Sequence, residues 1–168
     1  DSNTFWLSEH PDSIGKLGWD AACTRVATWA KLKDKTTGKE FLMLNTHFDH
    51  VGTEARRNSA LLIIDKIKEI AGTHPAMMTG DFNVSEEWEA YKTITSNEFV
   101  LKDAWKIESG ENYTFHDFGR VPVAEREKID FIFVTPQIKV ADAEIISSAI
   151  TDSTYLSDHN AHLADLEF

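Results

Sequence analysis

The stretch AMMTGDFN, residues 76–83, decides how the rest of the chain is interpreted. Its first four residues predict a short buried strand, because Ala and Met offer nothing polar to water. Gly80 lacks a Cβ and lets the backbone turn or approach another segment closely. In an extended chain Asp81 and Asn83 point to one side and Phe82 to the core. These two polar groups suit a hard cation and an anionic oxygen, although Gly-Asp and Asn are also ordinary turn residues.

Length and charge limit the possible functions. The 168 residues fit one domain with a real core, and no segment has the apolar length of a membrane span. The net charge of −11, from 17 basic and 28 acidic residues, counts against a protein that binds long nucleic acids tightly. A phosphate substrate remains compatible with this charge, because a metal ion can reverse the field inside an acidic cleft. The single cysteine, Cys23, excludes an internal disulfide, and its apolar neighbours predict a buried side chain.

The N-terminal half predicts a strand, a returning strand and a helix. Residues 23–32 alternate with a period of two, residues 33–39 resemble a hairpin turn, and residues 40–46 form the returning strand. After Gly52, apolar residues recur every three or four positions until Gly72 and then Pro75 end the helix.

The C-terminal half predicts further strands around an irregular region. A short helix is expected from Ser85, with Glu86 and Glu87 in its first turn. Residues 97–128 have no regular pattern, whereas 129–134, 140–150 and 161–168 read as strands. Without a repeat or linker, residues 1–168 are expected to form a single mixed α/β domain rich in antiparallel strands.

Four strand ends carry groups capable of chemistry. They are His47, Asp81 with Asn83, Asp130, and Asp158 with His159. A lone histidine at a strand end is more often structural than a ligand. Asp130, however, lies inside the apolar run IDFIFV, where a buried carboxylate is costly without a cation, a donor or a metal. A shared site explains all four sets together better than four separate structural accounts.

The motifs NTH (45–47), GDFN (80–83), IDFIFV (129–134) and SDH (157–159) resemble those of the endonuclease/exonuclease/phosphatase superfamily. The resemblance runs from about Cys23 to the C-terminus and corresponds to the C-terminal two thirds of that domain. It implies the DNase I-like fold, an α/β (α+β) four-layer sandwich of two mixed sheets flanked by helices. It also implies a metal-dependent phosphoester hydrolase. The segments 47–52, 54–60 and 113–119 look most similar to bacterial members without a sharply defined substrate.

The resemblance implies roles for individual residues. His159 matches the general base, and Asp130 matches the carboxylate that orients it. Asp81 and Asn83 match the pair that positions the attacking water and binds the scissile phosphate. His47 matches the histidine that stabilises phosphate oxygens or the leaving group. Asp158 matches a metal-site carboxylate. Whether Asp81 or His159 takes the proton from the attacking water stays open.

The implied cofactor is Mg²⁺, with Mn²⁺ possible. Hydrolysis of a phosphodiester needs a Lewis acid on a non-bridging oxygen and an activated water. Mg²⁺ favours one or two carboxylates and keeps several waters. A zinc site built on His47 and His159 is the competing interpretation, and the many carboxylates and amides nearby make it the weaker one.

The chain departs from the family pattern at its beginning. The family starts with a strand bearing an Asn and a strand bearing a Glu that is the principal metal ligand. Neither motif is found, and Glu9 has the wrong surroundings for that role. We therefore expect a domain missing its N-terminal strands, weak Mg²⁺ binding and little turnover from these 168 residues alone. We also expect sheet edges that favour self-association.

The substrate remains open between three possibilities. The first is a phosphodiesterase of nuclease type, and the second is a phosphomonoesterase or lipid phosphodiesterase on the same fold. The third is a truncated, non-catalytic binding domain. The partner would be a phosphate ester of a nucleic acid, a sugar or a lipid headgroup. Candidate substrate contacts are Arg25, Arg56, Arg57, Arg120, Phe115 and His116, and each arginine could equally be solvated surface charge.

Overall fold

The stretch around Met78 becomes an inner strand of a large sheet. The computed structural model describes residues 1–96, 101–105, 112–151 and 153–168. The helices are α1 (Thr53–Ala71) and α2 (Glu89–Thr95), with a 3-10 turn at Val123–Glu125. The strands are β1 (Ser2–Trp6), β2 (Val26–Lys33), β3 (Glu40–His47), β4 (Ala76–Asp81), β5 (Lys102–Asp103), β6 (Asp130–Val134), β7 (Lys139–Ile146), β8 (Ala149–Thr151), β9 (Thr154–Tyr155) and β10 (Ala161–Glu167).

The six-stranded sheet is mixed. Its order is β1-β2-β3-β4-β6-β5, with β3 and β4 parallel and the other described pairs antiparallel. The strands β7 and β10 form a separate antiparallel pair, and β8 pairs with β9. The predicted mixed α/β class of the DNase I-like fold is confirmed. The described residues build three layers, namely the helices, the large sheet and the β7–β10 pair.

Side chains of the large sheet alternate between two cores. The core under the helices contains Leu44, Met78 and Phe133, which are completely buried. The core on the opposite face contains Met77 and Val134, together with Val140 of β7. This alternation follows from the period of two in a strand. It determines which polar side chains at the strand ends face the β7–β10 pair.

The helix α1 matches its predicted pattern, and α2 does not begin where expected. The apolar positions predicted for α1, from Ala60 to Ala71, are largely buried against the large sheet. The predicted start of α2 at Ser85 is wrong, because the Trp88 N–H donates to the Ser85 carbonyl in a turn and the helix begins at Glu89. Glu86 and Glu87 therefore precede the helix.

Two further predictions for the N-terminal half are corrected. β2 begins at Val26 and not at Cys23, because the N–H groups of Ala22 and Cys23 donate to the Asp49 carboxylate. The Cys23 side chain is exposed, contrary to the prediction, because it belongs to this loop.

Part of the predicted irregular region, residues 97–100 and 106–111, lies outside the described residues.

The expected self-association through sheet edges stays a prediction. In the described part of the chain, β1 and β5 form the two edges of the large sheet, and β10 pairs with β7 alone. Leu163 of β10 has 46% of its surface exposed. No helix among the described residues has both the length and the apolar character needed to cross a membrane.

Candidate active site

Three neighbouring strands bring His47, Asp81 and Asp130 to one register position. His47 pairs with Asp81 across the parallel β3–β4 ladder, and Asp81 pairs with Asp130 across the antiparallel β4–β6 ladder. By strand alternation, all three side chains belong to the face that carries Met77 and Ile132. A row of one imidazole and two carboxylates therefore crosses the sheet on its β7–β10 side.

This row borders a cleft of about 800 Å³ between the large sheet and the β7–β10 pair. The wall opposite the row consists of the end of β7, the following Ser147 and Ser148, and the segment from Leu156 to His162 without Asp158. Among the described residues, none that lines this cleft is a lysine or an arginine. The residues from the large sheet are Asn45, Thr46, His47, Thr79, Gly80, Asp81, Asp130, Phe131 and Ile132.

Gly80 makes the close spacing of this row possible. A Cβ at residue 80 would lie 2.0 Å from the Thr46 carbonyl oxygen of the neighbouring strand. The sequence left two roles for Gly80, a turn or a close approach of the backbone to another segment. The structure shows the close approach, because Gly80 lies within β4 and against β3.

His159 is held by Asp130. Its Nδ1 lies 2.7 Å from Asp130 Oδ2, and its Nε2 faces Asp81 Oδ2 at 4.0 Å. The hydrogen bond to Asp130 raises the pKa of His159, and burial opposes that effect. A neutral His159 that donates from Nδ1 keeps Nε2 as a proton acceptor.

Asp81 lies between the two histidines. Its Oδ2 is 3.3 Å from His47 Nε2, and its Oδ1 accepts the Asn83 N–H at 2.9 Å. Burial, together with the charge of Asp130, raises the pKa of Asp81, although the Asn83 N–H acts in the opposite direction. Burial lowers the pKa of His47, so its imidazole favours the neutral form.

The donor atoms of Asp81, Asp130 and His159 lie within 4.8 Å of one another. Two carboxylates at this distance repel each other, and a divalent cation would relieve that repulsion. Oxygen donors of this kind fit Mg²⁺ or Mn²⁺. Asp158, predicted as a metal-site carboxylate, is not in this group, and its Oδ1 accepts from the Ser157 hydroxyl at 3.3 Å.

Asn83 leaves the strand that carries Asp81. Its φ of 49° is left-handed, so the alternation expected for an extended chain ends at Phe82. Phe82 is completely buried, as predicted. The Asn83 side-chain amide donates to the Phe48 carbonyl at 3.0 Å. Asn83 therefore links the end of β4 to the segment after His47.

Arg25 lies beside the cleft. It lines a depression that shares Asn45, Thr46 and His47 with the cleft wall. Its buried Nε has no hydrogen-bond partner among the described residues, and one terminal nitrogen is 3.4 Å from His50 Nδ1. The charge of Arg25 contributes to lowering the pKa of His47, after the larger effect of burial.

The other predicted arginines lie in internal contacts or in surface ion pairs. Arg56 is buried, donates to the Asp49 carbonyl at 3.0 Å and stacks over Trp88. Arg57 pairs with Glu89, and Arg120 pairs with Asp117. None of these three lines the cleft.

The predicted contacts Phe115 and His116 take different places. The Phe115 ring packs against His159, with ring centroids 5.0 Å apart. His116 is 1% exposed and lies behind the cleft wall, where its Nε2 is 2.9 Å from Ser148 Oγ. Neither residue lines the cleft.

Sequence reasoning missed Asp49, the buried carboxylate that organises the loop after His47. Its two oxygens accept from the N–H groups of Ala22, Cys23, Val51 and Gly52. Burial alone would raise the pKa of Asp49, but these donors outweigh it and hold the pKa far below its usual range. Cys23 and His50 lie close to Asp49, but this carboxylate is already saturated by donors.

Comparisons with known proteins identify the family and support the fold. Residues 3–159 match the sequence profile of the Endonuclease/Exonuclease/phosphatase family, so the similarity begins twenty residues before Cys23. The crystal structure of an endonuclease/exonuclease/phosphatase from Bacteroides vulgatus superposes with a TM-score of 0.92 at 64% identity, covering 99% of this chain and 64% of that one. A mannosyl-6-phosphatase from Bacteroides thetaiotaomicron gives 0.87 at 36% identity, covering 100% and 66%.

The chain is shorter than the proteins it matches. It spans just under two thirds of these two structures. Nocturnin from Drosophila melanogaster is 25% identical over 89% of this chain, which spans 29% of that protein. That the chain corresponds to the C-terminal two thirds of a domain stays a prediction. With a profile match over most of its length, the chain belongs to the endonuclease/exonuclease/phosphatase family.

Proposed function

We propose that this protein hydrolyses a phosphoester with the help of a divalent metal ion, using His159 as general base and Asp130 to orient it. The observation that carries the proposal is the contact of 2.7 Å between His159 Nδ1 and Asp130 Oδ2 at the edge of an open cleft. Family membership supports the hydrolase class in general.

In this proposal the chain's own residues divide the work. With Nδ1 bound to Asp130, His159 Nε2 accepts a proton from the attacking water. Asp81, 4.0 Å from Nε2, positions that water and faces the scissile phosphate. The neutral His47 donates from its ring to a phosphate oxygen or to the leaving group. Asn83 fixes the end of β4 through its bond to Phe48 and keeps Asp81 in place.

The proposed metal ligands are Asp81 and Asp130. When bound, Mg²⁺ or Mn²⁺ supplies a Lewis acid for a non-bridging phosphate oxygen. With two carboxylates, the described chain offers few protein ligands, which leaves room for water and substrate oxygens. For Asp158, which is expected from the sequence to be a metal-site carboxylate, we propose an electrostatic contribution instead, because its charge helps to raise the pKa of His159 after the larger effect of Asp130.

A small phosphoester is the substrate class that the charges favour. Tight binding of a polynucleotide needs several cations along the phosphates. Here the net charge is −11, and the cleft is lined by no described lysine or arginine. Arg25 beside His47 supplies one cation, enough for a single additional contact. A relative 36% identical to this chain is a mannosyl-6-phosphatase, which supports a sugar phosphate as the first substrate to test.

The nuclease-type phosphodiesterase remains the second candidate, and an assay panel separates the two. The full-length protein is incubated with Mg²⁺ or Mn²⁺ and with mannose 6-phosphate, nicked DNA, RNA, sphingomyelin and phosphoinositides. The proposal predicts turnover of a small monoester that is lost in His159→Ala and Asp81→Ala and retained in the exposed control Asp165→Ala. Turnover of DNA or RNA alone selects the nuclease. A folded protein without turnover on any substrate supports the non-catalytic binding domain.

A further inference from the structure

The segment that carries His159 is held from behind by the segment around His116. We call Ser157, Asp158 and His159 the SDH segment. The backbone N–H groups of His116 and Asp117 both donate to the Asp158 carbonyl at 3.1 Å. Phe115 forms a β-bridge with His159 and packs its ring against the imidazole. The position of the general base thus depends on a segment more than forty residues earlier in the chain.

The His116 side chain adds a directed chain of hydrogen bonds. Its Nδ1 accepts the Gly119 N–H at 3.2 Å, so the proton of the ring lies on Nε2. Nε2 therefore donates to Ser148 Oγ at 2.9 Å, and the Ser148 hydroxyl donates to the Ser157 carbonyl at 3.1 Å. In this series of three hydrogen bonds, every atom acts as a donor or an acceptor in a way that agrees with its neighbours.

Ser148 also reaches the other side of the SDH segment. Its N–H donates to Asn160 Oδ1 at 2.8 Å, and the Asn160 N–H donates to the Thr114 carbonyl at 2.7 Å. Ser157, Asp158 and Asn160, the residues that flank His159, are therefore all tied to the region of His116 and Ser148. Because His116 and Ser148 are both buried, water cannot readily replace these bonds.

We propose that His116 is a positioning residue, which acts through Ser148 to hold the SDH segment so that His159 stays on Asp130. This role rests on the proposed function, because it concerns the base of that reaction. It differs from the substrate contact expected from the sequence, since a side chain that is 1% exposed and bonded on both ring nitrogens has no surface for a substrate.

The kinetic test uses four variants of the full-length protein with p-nitrophenyl phosphate, bis(p-nitrophenyl) phosphate and Mn²⁺ as probes. His116→Ala and Ser148→Ala are expected to lower kcat about 10- to 100-fold with KM within about twofold, because a misplaced base slows the chemical step. His116→Gln, which retains a donor near the Nε2 position, is expected to recover most of kcat. The double variant His116→Ala/Ser148→Ala should be no slower than the slower single variant, since both act through one chain.

A spectroscopic test does not depend on turnover. In protein labelled with ¹⁵N-histidine, the Nδ1–H signal of His159 reports its hydrogen bond to Asp130. This signal should be strongly downfield in the wild type and in His116→Gln, and should be lost or shifted in His116→Ala and Ser148→Ala. If the wild type turns over neither these probes nor any substrate of the assay panel, the proposed function fails, while the histidine signal still decides the positioning role.

The control is Ser59→Ala, which removes a hydroxyl that is equally buried but lies on α1. It should leave kcat and the His159 signal unchanged. An unchanged His159 signal in both His116→Ala and Ser148→Ala overturns the proposal, as do rate losses that add in the double variant. If His116→Ala does not fold, Ser148→Ala and His116→Gln carry the same test.

Discussion

His159 Nδ1 lies 2.7 Å from Asp130 Oδ2, although the two residues are 29 positions apart in the sequence. This contact leaves Nε2 directed at Asp81. In Asp130→Asn an amide replaces the carboxylate, so His159 is no longer held in one tautomer by a charged acceptor. We expect kcat to fall by about 10²-fold or more, because an oriented base accounts for losses of that size.

Steady-state kinetics on the substrate identified by the panel measures this loss. The matched control is Asp165→Asn, an exposed carboxylate on β10, which should retain wild-type kcat. Thermal unfolding of both variants separates a loss of chemistry from a loss of folded protein. An Asp130→Asn enzyme within twofold of the wild type would contradict the assignment of His159 as an oriented base.

Arg25→Ala tests the cation beside the cleft. The guanidinium lines the depression next to His47, so a substrate anion in that depression is an expected partner for its positive charge. Loss of one charged hydrogen bond should raise KM about tenfold with a smaller effect on kcat. Arg57→Ala, which removes an arginine paired with Glu89, is the control and should leave KM unchanged. Equal KM values for all three proteins would remove Arg25 from the site.

Asp49→Asn should reduce stability at neutral pH. The carboxylate accepts four backbone N–H bonds and is 2% exposed, so we expect a loss of about 2 kcal/mol in the free energy of unfolding. The pKa of Asp49 is lowered in the folded state, so its contribution is present above the unfolded pKa of about 3.9 and is lost as the pH falls.

Urea unfolding at a series of pH values checks this sign. The difference between wild type and Asp49→Asn should be full at pH 6 and should shrink progressively below about pH 4. Asp34→Asn, on an exposed turn, provides a carboxylate control with a smaller effect. A difference that grows as the pH falls would show that Asp49 is not the charged acceptor described above.

Gly80→Ala should separate β3 from β4. The new methyl group would meet the Thr46 carbonyl at 2.0 Å, and backbone atoms cannot move aside locally. We expect a loss of about 3 kcal/mol in the free energy of unfolding. Gly15→Ala, at a left-handed glycine with open space around it, should cost about 1 kcal/mol from backbone strain alone. Equal losses in the two variants would exclude a specific clash at Gly80.

Metal dependence provides a further prediction. Chelation should abolish turnover of the full-length protein, and Mg²⁺ or Mn²⁺ should restore it. The isolated 168 residues should bind Mg²⁺ weakly, because two carboxylates are the described oxygen donors at the cluster. Calorimetric titration with Mg²⁺ measures the affinity of the 168-residue chain and of its Asp81→Asn variant. Tight binding to the 168-residue chain, or robust Mg²⁺-dependent turnover by it, would contradict this expectation.

Much of the fold could be predicted from the sequence because periodicity is a local signal. The spacing of Ile63, Ile64 and Ile67 predicts the buried face of α1, and the alternation around Trp29 predicts β2. The start of α2 could not be predicted in this way. A turn that joins Ser85 to Trp88 and a helix that begins at Ser85 both suit the same acidic residues.

Side-chain partners far apart in sequence explain the remaining differences. Asp20 is not part of any local sequence pattern. Its carboxylate nevertheless accepts the N–H of Ala55 at the start of α1, 35 residues away. Arg56 and His116 carry polar groups that suggest a substrate, but their partners, the Asp49 carbonyl and Ser148, are visible only after folding. By contrast, Asp81 follows an apolar run and Asp130 interrupts one, whereas His159 stands out through the SDH motif at 157–159.

The common register of His47, Asp81 and Asp130 makes the spacing of these proposed catalytic groups a property of the backbone ladder. A slip of one residue between β3 and β4, or between β4 and β6, would turn one of these side chains toward the helices and break the row. Gly80 lies inside that ladder, so its small size supports both the fold and the spacing of the proposed site through the same hydrogen bonds. Mutations that loosen this ladder should therefore reduce activity at temperatures well below those that unfold the protein.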